Sequence, residues 1–323
     1  MKLGFGIVIA SLLLISCRPE SEQQTAASPS PDVAISATPT ALAWKLPDPA
    51  SADATVRYGQ ELVARTAHYL GPDQADPALR YGGNRLNCKS CHLQAGQQPH
   101  SLGFVGITAR FPQYRGRENR QISLAERVNG CFERSLAGRA LPLESREMQA
   151  IVAYMQWLSQ DYPAGSKVEG QGLPEIELPE RAADPIKGKQ VFVQHCASCH
   201  QPGGLGLAAV PRSEGYAFPP LWGPDSFNTG AGMHRLITAA RYIKANMPLG
   251  QPVLSAEQAF DVAAYINSQP RPVKASLELD FPDRSRKPVD APFPPWDDKF
   301  SAQQHKYGPF KPMLAARQGQ SKP

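Results

Sequence analysis

Beyond its first 17 residues the sequence has no apolar run long enough to cross a bilayer, which excludes a bundle of membrane-spanning helices. No stretch sustains apolar alternation, so sheet-based cores have no support and helices are left as the building material. Basic residues are scattered and no reader motif for nucleic acid occurs, which sets that class of partner aside. The net charge of +5 over 323 residues is too small to define a partner by itself. Cysteine is scarce, at six residues, and its placement is the most informative feature of the chain.

Four of the six lie in two copies of Cys-x-x-Cys-His: Cys88-Lys89-Ser90-Cys91-His92 and Cys196-Ala197-Ser198-Cys199-His200. Two thiols one helical turn apart can add to the two vinyl groups of one porphyrin, and the adjoining imidazole then serves as proximal ligand. A thioredoxin-like pair or half of a zinc site could imitate one copy. Neither needs the following histidine, and neither predicts a second copy. The expectation is two covalently bound haem c groups, held by Cys88 and Cys91 and by Cys196 and Cys199, with His92 and His200 on the irons.

Residues 1–17 run from the single basic Lys2 through an apolar stretch to Leu14-Ile15-Ser16-Cys17. That ending looks like a lipobox, which makes 1–17 a lipoprotein signal peptide and Cys17 a lipidated N-terminus; an ordinary signal peptide cleaved nearby is the alternative. Either places the protein in the periplasm or at the cell surface, and the lipid adds a membrane anchor. Residues 18–43, rich in Pro, Ser, Ala and Thr, lack the large apolar side chains needed to fold and read as a disordered tether.

Helical periodicity fills the rest. In a first domain, 44–162, helices are expected over Ala54–Leu70, from the capping box at Ser123-Leu124-Ala125-Glu126, and over Glu144–Ser159. After a linker, 163–183, a second domain, 184–272, repeats the plan, with helices from Pro185, from Gly232 to Ala245, and from Ser255 to before Pro270. Residues 273–323 are dense in proline yet keep Phe281, Phe293, Trp296, Phe300 and Phe310, as an ordered strap would. The fold class is therefore mainly α: two cytochrome c-type helical haem domains joined by a linker, with an extended Pro-rich C-terminal strap.

Each iron has room for a further ligand. In the second domain Met247, in Asn246-Met247-Pro248, suits a His/Met iron and a raised potential; Met233 is the rival there. In the first, Cys131 is a single thiol without a disulfide partner in an oxidising compartment. It shares a helix face with Arg127 at i−4 and Ser135 at i+4, and a guanidinium so placed favours the thiolate. The alternative is an inert buried Cys131 with Met148 or Met155 as ligand. His100 and His195 lie near the motifs but are better read as surface or packed histidines.

The stretches Phe111 to Arg115, Ser123 to Ser135 and Met148 to Ser159 resemble the SoxA-type domain of the thiosulfate dehydrogenase (TsdA) family. The stretches Tyr216 to Leu221, Trp222-Gly223, Ser226 to Asn228, Tyr242 to Pro248 and Asp297 to Pro309 are similar to that family's second domain and tail. The resemblance spans Trp44 to Pro312. It implies a His92/Cys131 iron at an active site and a His200/Met247 iron that passes electrons out. It also implies coupling of two thiosulfate anions to tetrathionate, reversible in some members. By position, Cys131 is both ligand and the sulfur that meets substrate, Arg117 and Arg127 hold the anion, Ser135 is a polar contact, and Arg139 falls where a basic residue is expected. One departure is Asn246, where some relatives carry a lysine that can exchange with the methionine.

Independently, a thiolate ligand lowers an iron's potential and a thioether raises it, which sets a gradient from the first haem to the second. The external acceptor is expected to be another cytochrome c or a high-potential iron-sulfur protein. A dihaem cytochrome that only transfers electrons, a SoxA-like sulfur transferase subunit and a dihaem peroxidase are the competing classes.

Overall fold

Asp53 caps the first helix by accepting from the Val56 amide at 2.8 Å, and α1 spans Ala54–Ala64. Periodicity predicts one helix to Leu70, but the backbone leaves the helical region at Arg65 and resumes as α2 (Thr66–Leu70). The reason is local. The Thr66 hydroxyl donates to the Leu62 carbonyl at 2.7 Å and accepts from the Cys88 amide at 3.0 Å, while the Asn87 side chain accepts from the Ala67 amide at 2.8 Å. Breaking the helix turns its end toward the first haem motif.

The computed structural model describes residues 41–320. The expected leader, its Cys17, and nearly all of the expected 18–43 tether lie outside these residues. A short antiparallel hairpin, β1 (Gln113–Arg115) with β2 (Arg120–Ile122), follows α2 and leads into α3 (Leu124–Arg134). The Ser123/Glu126 capping box closes as its sequence requires, with Glu126 N–H to Ser123 at 3.2 Å and Ser123 N–H to Glu126 at 2.7 Å. Ser145 then caps α4 (Arg146–Trp157).

Next come α5 (Pro185–His195), α6 (Ala197–His200), a second hairpin of β3 (Leu207–Ala208) and β4 (Tyr216–Phe218), α7 (Leu236–Asn246) and α8 (Ala256–Ser268). The expected helix from Gly232 begins as a 3-10 turn, Gly232–His234, before α7. The tail contributes α9 (Ala302–Tyr307) and α10 (Lys311–Gln320). Among the described residues no helix is long and apolar enough to cross a membrane.

Two apolar cores sit inside one compact unit. Leu62, Phe132, Met148, Ile151 and Tyr154 anchor the first; Phe192, Leu236, Phe260 and Met313 anchor the second. Burying each such side chain stabilises the fold by about 1.5–3 kcal/mol. The two cores use the same helix crossing. A Cβ on Gly59 of α1 would stand 1.9 Å from the Ala150 carbonyl oxygen of α4, and one on Gly188 of α5 would stand 1.9 Å from the Asp261 oxygen of α8. The facing residues one turn later are Tyr154 and Tyr265, each 2.9 Å from that position. Only glycine permits this approach, so the duplication is written in packing as well as in the haem motifs.

Polar side chains tie the halves together. Asn84 donates to the Ser226 and Ser135 carbonyls, both at 3.0 Å, and Asn228 donates to the Glu133 carbonyl at 2.8 Å. Arg134 pairs with both oxygens of Asp280, at 2.7 and 2.8 Å, so the tail grips α3. Elsewhere in the tail, buried Lys287 donates to the Phe293 and Pro295 carbonyls and lies 4.4 Å from the Phe293 ring centre. A Gly188→Ala protein is expected to lose about 1–3 kcal/mol from the forced separation of α5 and α8. The loss is read as a lower thermal unfolding midpoint of the haem-loaded protein; an unchanged midpoint would contradict the crossing.

Candidate functional site

The first haem motif opens with a 3-10 turn, Cys88–Ser90, and its histidine is fixed by backbone: His92 Nδ1 lies 2.6 Å from the Leu102 carbonyl oxygen. The second motif does the same, with His200 Nδ1 at 2.8 Å from the Pro219 oxygen. A carbonyl on Nδ1 selects the tautomer that leaves Nε2 as the free lone pair, which is what an iron ligand requires. Burial also pushes His200 below its ordinary pKa, keeping it neutral.

A cavity of about 280 Å³ adjoins the first motif. Cys88, Cys91 and His92 line it together with Arg127, Cys131 and Ser135 of α3 and its C-terminal cap. These three come to one wall because they are spaced four apart on a helix. His92 and Cys131 line the same cavity, and the imidazole acts on the thiol in favour of its thiolate. Arg127 Nη1 donates to the Cys131 sulfur at 3.0 Å. Burial works to raise the Cys131 pKa, but the Arg127 charge and the contact with His92 hold it at about 6. The motif thiols lack that help, and burial pushes Cys88 up to about 11 and Cys91 to about 12. Met155 also lines the cavity, whereas Met148 is sealed in the core.

Arg117 and Arg139 are not among the cavity-lining residues. Arg117, just past the end of β1, donates to the Gly230 carbonyl at 2.9 Å, sits 3.9 Å from Asp280 and stacks 5.4 Å from the Phe281 ring centre. Burial and the neighbouring Arg134 press its pKa down to about 9. Arg139 lies on the surface, 3.9 Å over the Tyr81 ring, and donates to the Arg80 and Ala78 carbonyls. In their place the cavity holds Arg110 and Arg115, the latter lying two residues before Arg117. The pleat of β1 explains it: Gln113 and Arg115 share the cavity face and Tyr114 faces away, a pattern too short to register as alternation.

On the second site, Met247 follows α7 and packs in the same core as Cys196, with Met233 nearby. Asn246 is spent on structure: its amide donates to the His100 carbonyl at 3.0 Å and the Tyr242 carbonyl at 3.1 Å. His100 and His195 are not among the residues that line the cavity. Buried His305 uses both nitrogens, on the Val289 carbonyl and on Asp298.

The residues fit haem. Arg271 has two buried donors, Nε and Nη1, with no partner among the described residues, and the nearby Asn267 Oδ1 is equally unpartnered. A buried guanidinium left so is costly, and a haem carboxylate would satisfy it. Two thiol pairs, each followed by an imidazole with a carbonyl-bound Nδ1, define the class: a dihaem c-type cytochrome.

Comparisons with known proteins narrow this. Residues 80–164 match the SoxA/TsdA cytochrome c domain family, and residues 183–266 match the family described as cytochrome C oxidase, cbb3-type, subunit III. A thiosulfate dehydrogenase of Allochromatium vinosum is 43% identical over 248 residues, covering 75% of this chain and 86% of the relative. One from Stutzerimonas stutzeri is 42% identical over 218 residues, 67% of each chain. The solved thiosulfate dehydrogenase TsdBA of Marichromatium purpuratum superposes with a TM-score of 0.66 at 34% identity, covering 72% of this chain and 50% of that one. The chain belongs to the thiosulfate dehydrogenase family, and carries two haem c groups.

An Arg271→Gln protein is expected to show a lower midpoint potential at one haem and an unchanged one at the other, because a cation beside a haem carboxylate favours the reduced iron. Redox titration followed optically reads this; two unchanged potentials would separate Arg271 from both haems.

Proposed function

We propose that this protein oxidatively joins two thiosulfate anions into tetrathionate. One sulfur–sulfur bond forms, and the two electrons released leave through the second haem site to an external acceptor, a cytochrome c or a high-potential iron-sulfur protein. The observation that carries this reading is the Cys131 thiol in a cavity with His92, with the Arg127 guanidinium 3.0 Å from its sulfur. An electron-transfer cytochrome has no use for that arrangement.

The haems, when bound, accept electrons singly and relay them. Cys88 and Cys91 would attach the first and Cys196 and Cys199 the second, with His92 and Cys131 holding the first iron and His200 and Met247 the second. The chain's own contribution is charge and position. Two dianions repel, and a mostly apolar cavity magnifies that repulsion, so fixed cations must offset it. Arg127 supplies one while holding Cys131 as thiolate. Ser135, whose hydroxyl has no hydrogen bond among the described residues, stands one turn further along the same wall, where its O–H would donate to a sulfur oxyanion. Thiolate at one site and thioether at the other would set the two at unequal potentials, which favours electron movement from the Cys131 site to the Met247 site.

The protein acts in the periplasm, anchored through a lipid on Cys17. We assign its functional organisation as tether 18–43, catalytic haem domain 44–162, linker 163–183, electron-exit domain 184–272 and strap 273–323.

Purified haem-loaded protein should reduce ferricyanide with thiosulfate, and Cys131→Gly should lower that rate by about 100-fold or more with both haems still attached. No turnover by the unmutated protein would return the chain to electron transfer alone. Cys17→Ser is expected to move the protein from the membrane to the soluble periplasmic fraction; continued membrane retention would remove the lipid anchor from the account.

A further inference from the structure

Arg115 reaches the cavity with its donors unspent. Among the described residues no hydrogen bond reaches its guanidinium, and its one ion pair is long, Nε to Glu118 Oε2 at 4.0 Å. That Glu118 oxygen is itself buried and without a hydrogen-bond partner. A contact of this length gives Coulomb attraction without the directional bond that locks an Arg–carboxylate pair. Each side chain is 31% exposed, so neither is fully relieved by solvent. Arg127 and Arg117 differ, since Arg127 is engaged with Cys131 and Arg117 with Gly230 and Asp280.

Glu118 is also the acid common to the cluster. It occupies the turn between β1 and β2, and its charge acts on Arg115, Arg117 and Arg127 alike. Burial and the charge of Arg127 both work against the Arg115 cation, which Glu118 opposes. A second small anion near Arg115 would supply what the long contact lacks: short, charge-assisted bonds to a planar fork of donors.

We propose that Arg115 binds an oxyanion group of the substrate in this cavity, and that Glu118 is its resident counter-ion, which yields when the substrate dianion arrives. The proposal rests on the thiosulfate reading above and deepens it. Glu118 is a positioning residue: it neutralises the cluster at rest, weakens substrate binding by competing for Arg115, and by the same competition eases departure of the product dianion.

The test is steady-state thiosulfate oxidation by the haem-loaded protein at low and high ionic strength, with redox titration of both haems. Arg115→Gln is expected to raise KM at least about tenfold, the loss of a charge-assisted bond, with a smaller change in kcat. Arg115→Lys should recover part of that loss. Glu118→Gln is expected to lower KM severalfold and to steepen its dependence on salt; Glu118→Ala should do the same if the amide disturbs the turn. An unchanged KM in Arg115→Gln overturns the proposal. So does an unchanged KM accompanied by a shifted haem potential, which would assign Arg115 to a haem carboxylate instead. A raised KM in Glu118→Gln also overturns it, since Glu118 would then hold Arg115 in place and not compete for it. Absence of turnover in the unmutated protein defeats the functional reading; normal turnover with an indifferent Arg115 defeats this inference alone.

Discussion

A guanidinium 3.0 Å from a half-buried thiol is the contact on which the rest of the site depends. Burial favours the neutral thiol, and every other thiol of this cavity follows that rule, rising to about 11 and 12. Cys131 departs from it, at about 6, because Arg127 sits one helical turn away and His92 lies alongside. Helix geometry makes the pairing inexpensive, since i and i+4 are neighbours on any helix. Without Arg127 the sulfur would be a packed hydrophobe, and the cavity would hold a porphyrin but no reactive anion.

The fold braces that helix at both ends. At its start the Ser123/Glu126 box satisfies the free amides, and Arg120 pairs with Glu126 at 2.8 Å. At its end Arg134 is held by Asp280 from the tail, while Asn84 and Asn228 bind the Ser135 and Glu133 carbonyls. The clamp draws on segments far apart in the chain, so the second half and the tail position the first half's chemistry. A reciprocal tie runs the other way: Asn246, beside Met247, donates to the His100 carbonyl in the loop that also supplies Leu102 to His92. The surroundings of His92 and Met247 therefore meet at one backbone loop.

Local spacing made much of this legible in sequence. The haem motifs, the capping boxes at Ser123 and Ser255, and the Arg127–Cys131–Ser135 face are all set by residues within a few turns of one another. Long-range partners were not legible. The break at Arg65 answers to Asn87 and Cys88; Arg117 is claimed by Asp280, and Arg139 by the Tyr81 ring. Arg115 was not legible as a site residue because a three-residue strand carries too little alternation to reveal which face it presents.

The central claim is that Cys131 and His92 form the axial pair of the first haem while the second has no thiolate. Electron paramagnetic resonance of the fully oxidised protein tests it directly. The account expects two low-spin ferric signals, one with the narrow g-value spread of thiolate ligation and one with the wider spread of a histidine–thioether pair. Two signals of the wider kind would contradict it.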